Sequence, residues 1–417
     1  MFRKAPHVGE VMLSVDIEKI DNMFKMISQV IEERKKIFVD YNGSYDFYIN
    51  HGGKQIPLIT IVINNVEAFF ETYPDYEELV GQMTRDCLKY GVVFIFTTNG
   101  PNTVRYRLRQ NFKQNVVLQF NDPMDYASVI PGVRKKEPSK SFGRGLISLD
   151  SIFEFQTSYP YQEEKMSDYI KIICSKLNNI CDYQAQPIPI LPEVVGQEMV
   201  SNYLGNIRTI PVGVVKETLE IARIDLSNRF MYNITGDDVT TDTRFIRGFI
   251  NNLLTIENSK CVILDVNNII DEIKNENVTY DIDSCSNAIE QLYVYFDENN
   301  PDITIFPVII GVNALMSKLG SLEKSKFQQF ITECKTRNNF KYIIIDTIDV
   351  LKSISFETWY KGNSDASEGI WLGNGIANQF TLKVTTNSRV LRVDVEPGFG
   401  YCIQKGKASL IKLMSDE

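Results

Sequence analysis

Gly236-Asp237-Asp238-Val239-Thr240-Thr241-Asp242-Thr243 stands where phosphate chemistry is expected in this 417-residue chain. A phosphate loop reads Gly-x-x-x-x-Gly-Lys-Ser/Thr between a strand and a helix. Its glycines let backbone N–H groups wrap an anion, and its lysine reaches the outer phosphates. Here Gly236 and Thr243 are in place, but Thr241 holds the second glycine's position and Asp242 the lysine's. A β-branched residue hinders the wrap. One unit-charge pair at about 4 Å near a protein surface is worth about 4 kcal/mol, so exchanging lysine for aspartate costs up to about twice that. Asp237 and Asp238 add repulsion. Acids also suit a helix N-terminus through its dipole, so the segment reads equally as an ordinary strand-to-helix turn. The expectation is a loop that does not hold ATP productively, with Thr243 left as the group able to meet magnesium.

P-loop enzymes hold magnesium and position water with acids at the end of a neighbouring strand. Two strand ends are candidates. Val62-Ile63-Asn64-Asn65 carries amides there, and Ile309-Ile310-Gly311-Val312 carries no acid. An amide can coordinate but cannot take a proton. Asn64 and Asn65 are therefore read as a degenerate counterpart of the acidic pair, and no catalytic residue is assigned. The seven cysteines form no Cys-x-x-Cys, and the two histidines, His7 and His51, are far apart in sequence, so no metal site is expected.

The elements that must position these residues follow an α/β pattern with a mainly parallel sheet, because short apolar runs alternate with helix-period segments. In the first half strands are expected at 56–63, 91–98, 115–120, 143–149 and 152–157. Ile17, Ile20, Phe24, Ile27 and Ile31 form one helical stripe ahead of them, ending in a solvated Glu32-Glu33-Arg34-Lys35-Lys36 cluster. In the second half strands are expected at 230–235, 261–264, 304–310, 342–345 and 379–384, with a closing hairpin at 401–413. A helix with Phe245, Ile246, Phe249, Ile250 and Leu253 on one face follows the phosphate loop.

The two halves repeat one design. Asn64 and Gly311 close equivalent strands at an offset of about 247 residues, and the strands opening at Gly91 and Phe340 keep an offset of about 249. Between the halves, Pro187, Pro189, Pro192 and Pro211 mark the stretch from Asp182 to Pro211 as a linker. The expected division is residues 1–165 as one module, 166–208 as a connecting helix and Pro-rich linker, and 209–417 as a complete second module. Because Gly236 precedes Gly311 by about 75 residues, the same loop in the first module would fall before Met1, so that module is expected to lack its N-terminal part.

Composition narrows the function classes. Hydrophobic residues at 43% support packed cores, and a net charge of -9 disfavours a surface that grips nucleic acid without specificity. The apolar runs are strand-length, too short to span a bilayer, and the first residues lack a signal-peptide core. The Arg134-Lys135-Lys136 run reads as a solvated loop.

In order along the chain, Ala5-Pro6-His7-Val8, Ile61-Val62-Ile63-Asn64-Asn65, Tyr90-Gly91-Val92-Val93-Phe94-Ile95, Asn111-Phe112-Lys113, Gly143-Arg144-Gly145-Leu146, Glu154-Phe155-Gln156-Thr157 and Gly369-Ile370-Trp371-Leu372-Gly373 form a pattern. With them the chain resembles the C-terminal part of the EssC family, the membrane-anchored FtsK/SpoIIIE-type motors of type VII secretion in Firmicutes. The resemblance implies tandem RecA-like P-loop ATPase modules, the last of them often degenerate. It implies ATP and magnesium as family cofactors, weak or absent here. It also implies small helical-hairpin export substrates and other secretion subunits as partners, a homo-oligomeric motor, and a place at the cytoplasmic face of the membrane through upstream regions. Family members use a trans-acting arginine between modules, for which Arg85 is the candidate, with Arg105 and Arg107 nearby. Trp371 reads either as a core or hairpin-packing tryptophan or as an aromatic element near a substrate groove. The alternative reading is a fragment of an FtsK-type, ATP-dependent DNA translocase, with DNA an unfavoured partner given the acidic balance.

Overall fold

Apolar periodicity places the helices and strands of two compact units, residues 1–190 and 191–417. A computed structural model describes residues 2–101, 103–133, 136–280 and 285–416. Arg134 and Lys135 of the basic run lie outside these residues, while Lys136 donates to the carbonyl of Ile152 at 2.7 Å.

In the first unit the stripe Ile20, Phe24, Ile27 and Ile31 is buried on one face of the helix Ile17–Ile37. It packs on strands β1 (Ile59–Ile63) and β2 (Val92–Phe96), which pair in parallel with Ile61 opposite Phe94. A separate antiparallel sheet joins β3 (Val116–Val117), β4 (Arg144–Ser148) and β5 (Ile152–Gln156). The strand expected over 115–120 shrinks to two residues. The Phe120 N–H donates to the Tyr126 hydroxyl and Gln119 turns to the carbonyls of Ser139 and Ser141, so that stretch is held by side chains and not by a ladder.

The charged cluster at the end of the long helix needs a larger correction. Arg34 is 5% exposed. Its guanidinium donates to the carbonyls of Tyr90 at 2.6 Å, Gly91 at 3.1 Å and Pro57 at 2.7 Å. Arginine tolerates this because its fixed fork of donors matches several acceptors at once. Burial pushes its pKa down. The residue thus ties the helix end to the segments that enter β1 and β2.

Among the described residues the second unit is built on ten strands. They are β6 (Ile210–Val215), β7 (Ile221–Ile224), β8 (Met231–Gly236), β9 (Ser259–Asp265), β10 (Val278–Tyr280), β11 (Thr304–Ile310), β12 (Tyr342–Thr347), β13 (Gly369–Leu372), β14 (Phe399–Gln404) and β15 (Lys407–Leu413). Their order is β10-β9-β11-β12-β8-β13-β14-β15-β6-β7, parallel from β10 to β13 and antiparallel from β13 to β7. The result is an α/β fold on a mixed, mostly parallel sheet. One face carries the helix Thr243–Leu254, whose Phe245, Ile246, Phe249 and Leu253 pack with Ile234, Ile310 and Ile345. The other carries Phe327, Phe330 and Trp359 against Ile309 and Ile344.

Two expectations fail here. No strand forms over 379–384, because the Gln379 side chain satisfies both backbone groups of Leu382, at 2.8 and 3.2 Å. The Gly369–Leu372 stretch is a central strand, which makes Trp371 the core tryptophan that was one of its two readings. Trp371 is 0% exposed and packs with Ile348, Leu382 and Tyr401, while its indole N–H donates to the Asn374 carbonyl at 2.8 Å. Pro211, read as linker, lies in β6 beside a register shift at Gly213, a place where a sheet accepts proline.

Candidate functional site

Parallel sheets bind ligands at the carboxyl ends of their strands, next to a strand whose helix starts at a Gly-rich turn. β8 ends at Gly236 at this edge, between β12 and β13, and the helix Thr243–Leu254 follows. The structure therefore places Gly236 and Thr243 at the two ends of a strand–loop–helix connection of phosphate-loop type.

The loop is closed by its own acids. Asp238 accepts the Thr240 N–H at 2.8 Å and the Thr240 hydroxyl at 2.7 Å, and these bonds hold its carboxyl below the usual range. An amide that would face a phosphate oxygen is already bound to a carboxylate oxygen. The Asp237 carboxylate lies over Gly375 so closely that a Cβ there would collide with it, and Gly375 has φ 93°. Gly236 itself answers a packing need, since a Cβ would come 2.7 Å from the Leu372 carbonyl of β13.

Asp242, at the lysine's position, is half-buried and makes no capping bond to the helix it precedes. Burial pushes its carboxyl up, a bond from the Thr241 hydroxyl opposes this, and the charge of Asp238 adds to it. A folded-state value raised above the ordinary 3.8 gives stability that is complete below that pH and lost as pH rises through the folded value. Asp242→Asn removes the ionisation, so it should raise the melting temperature at pH 7 by about 1–2 °C. That advantage should vanish near the ordinary aspartate value of 3.8. A scan of melting temperature against pH checks both. A lower melting temperature at pH 7 would mean that the helix dipole outweighs the burial.

The neighbouring strand ends share one geometry. Asn65 has φ 54° and ψ 66°, Gly311 has φ 79° and ψ 66°, and each opens a helix, Val66–Thr72 and Val312–Lys318. In the first unit Thr97, just beyond β2, accepts the Asn65 N–H at 2.9 Å and donates to Asn64 Oδ1 at 2.6 Å. In the second unit Asp346 of β12 accepts the Val312 N–H at 2.7 Å. Each turn is thus pinned by a side chain from the next strand.

Asp346 is the acid that sequence reading passed over. It sits opposite Thr235 in the ladder, with Thr347 opposite Gly236, between the loop and the Gly311 turn. Burial raises its pKa against bonds from the N–H groups of Thr347, Val312 and Asn313. The signal was present, since Ile343-Ile344-Ile345-Asp346 is a buried strand ending on an acid at the edge in question. Arg85 is exposed in the last turn of the helix Tyr76–Asp86, and Arg105 pairs with Glu77 at 2.9 Å while 80% exposed.

A phosphate-loop-like connection on β8, set within the order β9-β11-β12-β8-β13, defines a P-loop-type α/β ATPase fold. No family model matches the chain. In sequence its homologues are named EssC and EccC, proteins of ESX or type VII secretion. It is 22% identical over 440 residues to the ESX secretion system protein EccC of Geobacillus thermodenitrificans, covering 99% of the chain. It is 23% identical over 236 residues to the type VII secretion system protein EssC of Staphylococcus aureus, covering 54% of the chain. The chain spans 29% of the first relative and 16% of the second. Among solved structures, ATPases 2 and 3 of EssC from Geobacillus thermodenitrificans match with a TM-score of 0.82 at 20% identity, over 100% of this chain and 82% of that one. Thermomonospora curvata EccC, ATPases 2 and 3, solved in complex with a signal sequence peptide, matches at 17% identity with a TM-score of 0.51, over 100% of this chain and 80% of that one.

Proposed function

We propose that this chain is a catalytically silent, ATPase-like segment of a type VII protein secretion motor that recognises export substrates. The observation that carries the silence is Asp238, whose carboxylate occupies the loop donors of Thr240. Asp242 in the lysine's place and Asn64-Asn65 or Gly311 at the strand ends support it. In this reading Gly236 and Thr243 are relics of a nucleotide site, and Arg85 is an exposed arginine available to a neighbouring module.

Substrate recognition is supported by the peptide complex of the Thermomonospora relative, since a folded α/β scaffold can bind a peptide without hydrolysing anything. The partners proposed are small helical-hairpin export substrates and other secretion subunits, in a ring of copies at the cytoplasmic face of the membrane. Among the described residues no helix is long and apolar enough to cross a membrane, so attachment would come from elsewhere. The DNA-translocase reading is not favoured, given the net charge of -9.

Two measurements test the proposal. Purified chain should show no magnesium-dependent ATP turnover above background, with or without duplex DNA. It should bind a peptide from the C-terminus of an export substrate with detectable affinity at about 100 µM. DNA-stimulated turnover would overturn the silence, and absence of peptide binding would overturn the recognition.

A further inference from the structure

The two sheets of the first unit leave apolar side chains in the open. Val62 of β1, Ile95 of β2, Val116 of β3 and Leu118 just beyond it are 47 to 61% exposed. Val62 stands opposite Ile95 in the parallel ladder. Parallel strands are normally covered on both faces. Here the face with Ile61, Ile63 and Phe94 packs under the helix Ile17–Ile37, and the face with Val62 and Ile95 stays open.

The second unit repeats these strands and buries the same positions. Asn65 and Gly311, each left-handed and each opening a helix, mark equivalent strand ends. Three residues before them stand Val62 and Val308, whose ladder partners are Ile95 and Ile343. A second marker aligns β3 with β13. A Cβ on Gly145 would strike the Val117 carbonyl, and one on Gly400 the Trp371 carbonyl. Val117 pairs with Leu146 as Trp371 pairs with Tyr401, so Val116 falls on Ile370 and Leu118 on Leu372. Val308, Ile343, Ile370 and Leu372 are no more than 1% exposed. They lie in the core that Phe245, Ile246, Phe249 and Leu253 of the helix Thr243–Leu254 close.

The strand edges agree with the faces. β8 pairs in parallel with β12 on one side and with β13 on the other, joining them in one sheet. Their counterparts β2 and β3 lie in two separate sheets, each with no strand on the matching edge among the described residues. A free edge takes an added strand, and a shelf of aliphatic side chains takes an apolar helix.

We propose that the edges of β2 and β3, with Val62, Ile95, Val116 and Leu118, form a docking site for a strand–loop–helix segment carried on another polypeptide. The donor strand pairs in parallel with both edges, as β8 does with β12 and β13. The donor helix lays an aliphatic and aromatic stripe over the four side chains, as Thr243–Leu254 does on their counterparts. Main-chain bonds supply the pairing, and the alternate side chains of the shelf supply the selectivity for an amphipathic helix. This surface is independent of substrate recognition and of the loop at Gly236.

The probe is a labelled peptide of residues 228–256, the segment that fills the equivalent place in the second unit. Fluorescence anisotropy against the full chain should give a dissociation constant below about 100 µM. Bound peptide should slow amide hydrogen exchange over residues 92–96 and 116–118. Val62→Thr/Ile95→Thr keeps β-branched side chains, so the strands fold, and should weaken binding about tenfold. Ile172→Thr/Ile180→Thr, a matched change at exposed positions of the helix Met166–Ile180, should leave it unchanged. Absence of binding, equal weakening in both variants, or no added protection at those amides overturns the site. Dimerisation of the chain that Val62→Thr/Ile95→Thr abolishes would make a second copy the occupant and overturn the donor segment. Displacement of the probe by an export-substrate peptide would make the shelf a substrate surface, and overturns it equally.

Discussion

Trp371→Ala is expected to lower the stability of the chain by about 4 kcal/mol in urea denaturation, the range for removing a fully buried tryptophan. The side chain is 0% exposed, on a strand between β8 and β14, so the cavity left behind cannot collapse without moving the sheet. The lost indole N–H also leaves the Asn374 carbonyl without its donor. Trp371→Phe keeps most of the volume and should cost less than half as much. Because the ring does not reach the surface, that variant should bind substrate peptide as the parent does. Loss of peptide binding in a folded Trp371→Phe chain would return the ring to a groove, and a cost below about 1 kcal/mol for Trp371→Ala would contradict its burial.

Arg34→Met should cost about 3 kcal/mol, from the loss of charge-assisted hydrogen bonds to three carbonyls that are left partly unsatisfied. The opposing gain is relief from burying a charge, which keeps the net effect below the sum of the bonds. Arg34→Lys should recover at most half, because a single ammonium cannot span the carbonyls of Tyr90, Gly91 and Pro57 together. The same denaturation experiment reads both. Equal stability of the methionine variant and the parent would mean that the guanidinium is solvated in solution, as the charged run around it suggests.

These two residues show where sequence was informative and where it was not. The helix Ile17–Ile37 and the strand Thr304–Ile310 were legible because one carries a long helical stripe and the other is a strand-length apolar run rich in β-branched residues. Gly369–Leu372 was not, because three residues between two glycines are too few to separate a core strand from a turn. Arg34 was hidden inside a run of charges, where burial depends on carbonyls some twenty to sixty residues away. In the loop, the missing lysine could be read directly. The closure by Asp238 had a local signal as well, an acid two residues before a threonine, a pattern that makes side-chain-to-backbone turns. β6 and β7 were missed because prolines in the stretch before them suggested a linker.

The turns after β1 and β11 carry a further meaning. Each is fastened from outside by a side chain of the adjoining strand, Thr97 in one unit and Asp346 in the other. The residues inside the turns then owe the architecture little beyond a left-handed backbone, which asparagine and glycine both supply. Reactive groups at those positions are interchangeable parts. A module built this way can be armed or disarmed chemically while its framework keeps serving as a platform for other contacts.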